Sequence, residues 1–140
     1  MKMSIRNRLD ATVESVDSGP AMTTVRARIT GGQLITAAIT SDAGSDLDLK
    51  AGSPVQILIK STEVSVSRDA ISRISIRNLL PGTVVAVDHG EVMSTVKIEI
   101  GADHVLTAAI TKESAHELGL ETGVPVTALV KATNVAIAAS

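Results

Sequence analysis

The chain consists of one unit written twice, and this repeat constrains the fold more than any other feature. Residues Ser4–Val66 align without a gap with Ser75–Ile137, and about 28 of the 63 aligned positions are identical. The identities cluster in four motifs that keep their order in both copies: SIRN, TAAIT, LxLxxGxPV and KxTxV. Residues 67–74 form a short polar link between the copies. We therefore predict two units, at residues 1–68 and 72–140, lying side by side.

Each unit has the pattern of five short strands and one short helix. In the first unit, alternating or β-branched residues bounded by turn residues predict strands at Thr12–Val16, Thr24–Ile29, Leu34–Ile39, Val55–Lys60 and Thr62–Val66. Thr40 has the features of a helix N-cap, and its counterpart Thr111 precedes a helix that we expect to end at Gly119. This order is typical of an OB-type barrel. The predicted fold is all-β dominated, with two tandem OB-like five-stranded barrels, each carrying its helix between strands 3 and 4.

The composition favours a narrow core and self-association. Hydrophobic residues make up 44% of the chain, yet Phe, Tyr, Trp and Cys are all absent. Val, Ile, Leu, Ala and Met must fill the interior, which suits small barrels. A unit of about 65 residues buries only ~60% of its unfolded surface, so its own core is marginal. Packing of the two copies, and association between chains, would supply the missing burial.

The same composition argues against several classes of partner. The net charge is −2 with no basic block, and there are no aromatic rings for bases to stack on, which disfavours nucleic-acid binding. The start, MKMSIRNRLD, lacks the apolar stretch of a signal peptide, and no apolar run approaches the ~18 residues of a membrane span. We therefore expect a cytoplasmic protein with neither nucleic-acid nor membrane partners.

The sequence contains no recognisable catalytic constellation. All three histidines lie in the second unit, so no histidine-based site is shared by the copies; His89, His104 and His116 replace Ser18, Gln33 and Ser45. No Ser/His/Asp arrangement repeats, and neither a phosphate-binding loop nor an HExxH motif occurs. His116 and Glu117 are adjacent on the predicted helix and do not share a face, which disfavours a metal site. We predict that the protein is not an enzyme and has no catalytic residues.

The repeated polar residues share one chemical property, because all of them can donate hydrogen bonds. They are the Ser and Arg of SIRN, the Thr that ends TAAIT, and the Lys of KxTxV with its following residue. Together with the free N–H groups of a helix N-terminus they could line a pocket for an oxyanion. Taken singly, Lys60 is typical of a solvated strand end, Thr40 of an N-cap and Arg6 of a surface arginine. Asn7 and Asn78 are interpreted as residues that bond local backbone rather than ligand.

These motifs, twice in the correct order, resemble the molbindin (Mop) family of molybdate-binding proteins. Two such units in one chain are similar to its dimop proteins of the ModG type. The resemblance covers nearly all of the chain and implies an OB-like barrel, a homotrimer, and binding of molybdate or tungstate at subunit interfaces for storage or homeostasis. It also implies that the metal is bound only as the oxyanion, with no other cofactor.

The resemblance also implies the ligands of the anion. In the first unit they correspond to Ser4, Arg6, Thr40, Lys60 and Ser61. In the second unit they correspond to Ser75, Arg77, Thr111, Lys131 and Ala132. Ala132 replaces the serine of the first unit, so that position loses a hydroxyl donor but keeps a backbone N–H, and the second pocket is expected to bind differently.

Two other functions remain open. The first is an oxyanion-sensing module that acts with a separate transcription-regulator or transporter partner, since this sequence has no helix-turn-helix or P-loop of its own. The second is an OB-type nucleic-acid module, which the charge and the missing aromatic residues disfavour.

Overall fold

The computed structural model describes residues 2–139 and is mostly β. The first unit contributes β1 (Asn7–Ser18), β2 (Met22–Ile29), β3 (Leu34–Thr40), α1 (Ser41–Leu47), β4 (Pro54–Ile59), a 3-10 turn (Ser61–Glu63) and β5 (Ser65–Ser67). The second contributes β6 (Asn78–His89), β7 (Met93–Glu99), β8 (Val105–Thr111), α2 (Lys112–Glu117), β9 (Pro125–Val130), a 3-10 turn (Ala132–Asn134) and β10 (Ala136–Ala139). Two five-stranded sheets result, with a helix between the third and fourth strands of each unit, which confirms the predicted fold class.

The chain after each lysine differs from the predicted strand. Thr62–Val66 was expected to be one strand, but residues 61–63 form a 3-10 turn and β5 begins only at Ser65. The Glu63 N–H donates to the Lys60 carbonyl at 3.0 Å, and the Val64 N–H donates to the Ser61 carbonyl at 3.3 Å. The prediction of a continuous strand was wrong because these local hydrogen bonds curl the backbone before it pairs.

The last strand of each unit joins the sheet of the other unit. The strand orders are β10-β4-β1-β2-β3 and β5-β9-β6-β7-β8. Ile137 of β10 pairs with Ile57 of β4, and Val66 of β5 pairs with Ala128 of β9, both antiparallel. Each 3-10 turn also packs against the third strand of the other unit. The two units are therefore interlocked, and do not merely lie side by side.

One continuous hydrophobic core runs through both units. Its largest fully buried side chains come from both copies and include Ile29, Ile57, Ile98 and Leu106. Isoleucine, valine and leucine fill the interior of this ring-free chain, as the composition predicts. Burial of each such side chain stabilises the fold by roughly 1.5–3 kcal/mol, so sharing one core between two small units raises the stability of both.

Both helices begin as the sequence indicates, and α2 also ends as predicted. The hydroxyl oxygens of Thr40 and Thr111 accept hydrogen bonds from the backbone N–H groups of Ala43 and Ser114, at 3.2 and 3.1 Å. After α2, Gly119 adopts a φ of +60°, a left-handed conformation that favours glycine and ends the helix. None of the helices within residues 2–139 is long and apolar enough to cross a membrane.

Candidate oxyanion site

Strand pairing brings the SIRN and KST motifs of the first unit together. Asn7, the first residue of β1, pairs with Ile59, the last residue of β4, in antiparallel register. The residues just before β1 consequently lie beside those just after β4. Ser4, Arg6, Lys60 and Ser61 line one cavity of about 200 Å³, which Ile5 and Thr62 complete. Four of the five predicted ligands of the first unit thus surround one cavity.

The Arg6 side chain is fixed by the backbone of its own segment. Its Nε donates to the Ser4 carbonyl at 3.2 Å and its Nη2 to the Met3 carbonyl at 2.6 Å. Arg77 makes the same pair of bonds with Ser75 and Ile74, at 3.3 and 2.5 Å. A guanidinium has five N–H donors, so three remain for a ligand in each unit. These local bonds hold the planar group in one orientation and lower the entropic cost of binding an anion.

The hydroxyl group of Ser61 is buried and makes no hydrogen bond within the described residues. Within residues 2–139, its Oγ is the only buried side-chain polar atom without a hydrogen-bond partner. Leaving a buried hydroxyl unsatisfied costs about 1–3 kcal/mol, and such an atom calls for an explanation. Ser61 lines the cavity together with Lys60 and Arg6, so a ligand bound there would lie next to the residue that carries this hydroxyl.

In the second unit, a cavity beside Lys131 is lined by other positions of the repeat than the cavity of Ser61. Lys131 lines a cavity of about 190 Å³ together with Ile76, which lies between Ser75 and Arg77 in the sequence. The pairing of Asn78 with Val130 juxtaposes the two motifs as in the first unit. Residue 132 is alanine, so no hydroxyl equivalent to that of Ser61 is present. The two copies therefore present unequal donor sets to a ligand.

The two predicted threonine ligands lie apart from these cavities. Thr40 and Thr111 cap their helices, and Thr111 lines a separate cavity with Lys112 and His116 among others. The Thr111 hydroxyl also donates to Ser114 Oγ at 2.8 Å. Neither threonine is among the residues that line the cavities of Lys60 and Lys131. A single chain thus does not unite the threonines with the SIRN and lysine motifs.

Asn7 and Asn78 bond backbone, as expected, but not local backbone. Asn7 bonds Thr107 of the other unit, and Asn78 bonds Thr36. Both side chains are 2% exposed. The interpretation that these side chains bond backbone is confirmed, but the expected range of the contact was wrong. Their repetition in SIRN was the available signal, but a sequence motif does not reveal which strand its side chain reaches.

The histidines of the second unit do not form a metal centre. The rings of His89 and His116 are stacked, with centroids 4.8 Å apart and planes 8° from parallel, and His89 Nδ1 lies 2.7 Å from Ser94 Oγ. His104 Nε2 is 2.7 Å from the Thr30 carbonyl oxygen, which links the two units. No group of three or more His, Cys, Asp or Glu in the described part of the chain is arranged to hold a metal ion.

One ion pair at the surface shifts the pKa values of both its members. Arg28 Nε donates to Glu14 Oε2 at 2.5 Å, and this hydrogen bond holds the pKa of Glu14 below its ordinary value and raises the pKa of Arg28. Both side chains are about half exposed and belong to β1 and β2. The pair helps to tie these strands together and contributes nothing to the cavity around Lys60.

Comparison with known proteins identifies the repeated unit. The TOBE domain matches the chain twice, at residues 3–66 and 74–137. The chain belongs to the TOBE domain family. A solved structure superimposes on this double TOBE fold with a TM-score of 0.97 and 33% identity, covering all of both chains. That structure is of the cytoplasmic molybdate-binding protein ModG with molybdate bound.

Curated relatives of the two TOBE units are named for molybdenum. The chain is 37% identical over 139 residues to the molybdenum transport protein ModE of Herbaspirillum seropedicae. It is 38% identical over 139 residues to the molybdenum-pterin-binding protein MopA of Rhodobacter capsulatus. Each match covers 99% of this chain and 52% of the relative. The TOBE pair thus spans about half the length of these two curated relatives.

Proposed function

We propose that this protein binds molybdate or tungstate and stores it in the cytoplasm without transforming it. The observation that carries the proposal is the cavity that Ser61, whose buried hydroxyl has no partner, lines together with Ser4, Arg6 and Lys60. A tetrahedral dianion with no proton offers an acceptor on every oxygen and would satisfy that hydroxyl. The likeness to ModG, whose structure holds molybdate, supports the choice of anion.

The proposed ligands are the residues implied by the family resemblance. In the first unit, Ser4, Arg6, Lys60 and Ser61 bind one anion; in the second, Ser75, Arg77, Lys131 and the backbone at Ala132 bind another. Thr40 and Thr111 lie outside these cavities within one chain. We propose that each threonine instead completes a site across an interface with another copy of the chain. The homotrimer that the family resemblance implies would hold such sites between its subunits.

A direct titration tests the anion site. The protein is stripped of anion by dialysis and titrated with molybdate in a calorimeter, with Ser61→Ala and the reciprocal Ala132→Ser as matched variants. Ser61→Ala should weaken one class of site about tenfold, the loss of one charge-assisted hydrogen bond, whereas Ala132→Ser should strengthen the other class. Wild-type protein that takes up no molybdate would contradict the proposal.

The oligomeric part of the proposal has its own test. Light scattering at micromolar concentration should give three times the chain mass of 14.4 kDa. A chain that remains monomeric with molybdate present would rule out sites between subunits. A site within a single chain would still be testable by titration.

A sensing module is the second candidate function. It is favoured by the match to about half of ModE, since a pair of units of this kind occurs there within a longer protein. In that case a separate DNA-binding or transporter subunit would read the anion-bound state. Affinity purification with and without molybdate distinguishes the two functions: a stoichiometric partner supports sensing, and the protein recovered alone supports storage.

A further inference from the structure

The two 3-10 turns end in residues of different charge. The motifs KSTEV and KATNV are aligned in the repeat, so Glu63 of the first unit corresponds to Asn134 of the second. Each is the last residue of its turn. The two positions differ in charge, since glutamate carries a carboxylate and asparagine a shorter, neutral amide. The chain therefore carries a natural charge substitution at equivalent positions.

Both residues share a cavity with each of the two lysines in turn. Glu63 and Asn134 together line a cavity of about 230 Å³ with Lys60, and they also line the cavity of about 190 Å³ that contains Lys131. A sphere of 230 Å³ is only about 8 Å across, comparable with the Debye length of ~8 Å at physiological ionic strength. An anion held by either lysine within these two cavities would therefore lie within range of the Glu63 charge.

The Glu63 carboxylate has no structural partner. It forms no ion pair and no side-chain hydrogen bond with any other residue between 2 and 139, although a lysine is present in each of the two cavities that it lines. The side chain is exposed, so its charge is not needed to satisfy a buried group. The Asn134 side chain likewise makes no hydrogen bond within the described residues. Fold stability therefore does not explain a negative charge in a region otherwise suited to anions.

We propose that Glu63 is an affinity-determining residue, whose carboxylate repels the bound oxyanion and makes binding weaker than the donors alone would give. Asn134 is its neutral counterpart. This inference rests on the proposed function, because it takes Lys60 and Lys131 as anion ligands. A like charge within a Debye length raises the dissociation constant without altering the shape of the site. The repulsion scales with ligand charge, so a dianion is penalised about twice as strongly as a monoanion.

The experiment uses the full chain and the isosteric variants Glu63→Gln and Asn134→Asp. Molybdate and the tetrahedral monoanion perrhenate are titrated into each at an ionic strength of ~0.01 M. Glu63→Gln should lower the molybdate dissociation constant about fivefold and that of perrhenate about twofold. Asn134→Asp should raise the dissociation constant about fivefold for molybdate and about twofold for perrhenate. At ~1 M salt, where the Debye length is ~3 Å, every difference should shrink below twofold.

The outcomes separate this inference from the proposed function. If the wild-type protein binds molybdate and Glu63→Gln binds it with the same dissociation constant, only the role of Glu63 is overturned. Changes in the dissociation constant that are equal for molybdate and perrhenate, or that persist at high salt, also overturn that role. Such changes would indicate a structural effect, because electrostatic repulsion depends on ligand charge and on salt. Wild-type protein that binds neither anion overturns both proposals. The melting temperatures of the anion-free variants should match that of the wild type, since neither side chain forms a hydrogen bond or ion pair with the rest of the described chain.

Discussion

Asn7 of the first unit and Thr107 of the second are joined by two hydrogen bonds. The Asn7 amide donates to the Thr107 carbonyl at 2.9 Å, and the Thr107 N–H donates to Asn7 Oδ1 at 2.7 Å. Asn78 makes the same pair with Thr36, at 2.8 Å in both directions. A side-chain amide here replaces the backbone partner that a further strand would supply. The motif that opens each unit thus fastens it to the third strand of the other.

Removing either asparagine should destabilise the whole protein. Asn7→Ala or Asn78→Ala leaves a backbone donor and acceptor unpaired, and each unsatisfied buried group costs about 1–3 kcal/mol. Urea unfolding monitored by circular dichroism measures the loss in free energy of unfolding. Asp17→Ala, at the exposed end of β1, is the control and should have little effect. If the asparagine variants are as stable as this control, the contact contributes nothing.

Lys60→Ala and Lys131→Ala should weaken anion binding without loss of stability. Both lysines are exposed and line cavities, so folding does not depend on their charges, whereas a charge-assisted hydrogen bond to an anion contributes ~1.5–3 kcal/mol. Calorimetry should show each variant losing one class of site by one to two decades in affinity, with an unchanged melting temperature of the anion-free protein. Full binding in both variants would mean that the lysines are merely solvated.

The predicted first unit, residues 1–68, should not fold as a monomer on its own. In the whole chain, the outer edge of its β4 is covered by β10, through pairs such as Leu58 with Ala136. An isolated unit loses that strand and the partner backbone of Asn7, and it exposes a strand edge that invites pairing. Size-exclusion chromatography with circular dichroism should reveal either unfolded chain or a strand-exchanged dimer. A folded monomer would show that the fifth strand can pair within its own unit.

The donor-lined cavity should select among tetrahedral anions. Phosphate near neutral pH keeps a proton, and among ligands that donate hydrogen bonds that O–H group finds no acceptor, at a cost of ~1–3 kcal/mol where the bound anion is shielded from water. Sulfate has no proton, but its shorter bonds bring its oxygens to fewer donors at proper length. We expect molybdate and tungstate to bind about equally, sulfate much more weakly and phosphate hardly at all. Competition dialysis against bound molybdate measures the order, and displacement by equimolar phosphate would contradict it.

Sequence alone determined the features whose causes are local. The alternation of apolar residues follows from the two-residue period of a strand, so β2 and β3 could be placed to within a few residues. Thr40 and Thr111 could be recognised as N-caps because a cap bonds backbone only a few residues away. The lysines that follow β4 and β9 stood out because the repeat kept them in register. In each case the neighbours along the chain supply the physical reason.

Tertiary structure alone decided which copy each segment pairs with. The two units have the same alternation and the same motifs. By its sequence, β4 could therefore pair equally well with β5 or with β10 along the edge that β1 does not cover. The 3-10 turns direct each last strand away from its own unit, towards the other sheet. The reach of Asn7 to Thr107 and the separation of Thr40 from the Lys60 cavity follow from the same long-range packing. Such contacts depend on how whole sheets meet, which the order of residues within one unit does not specify.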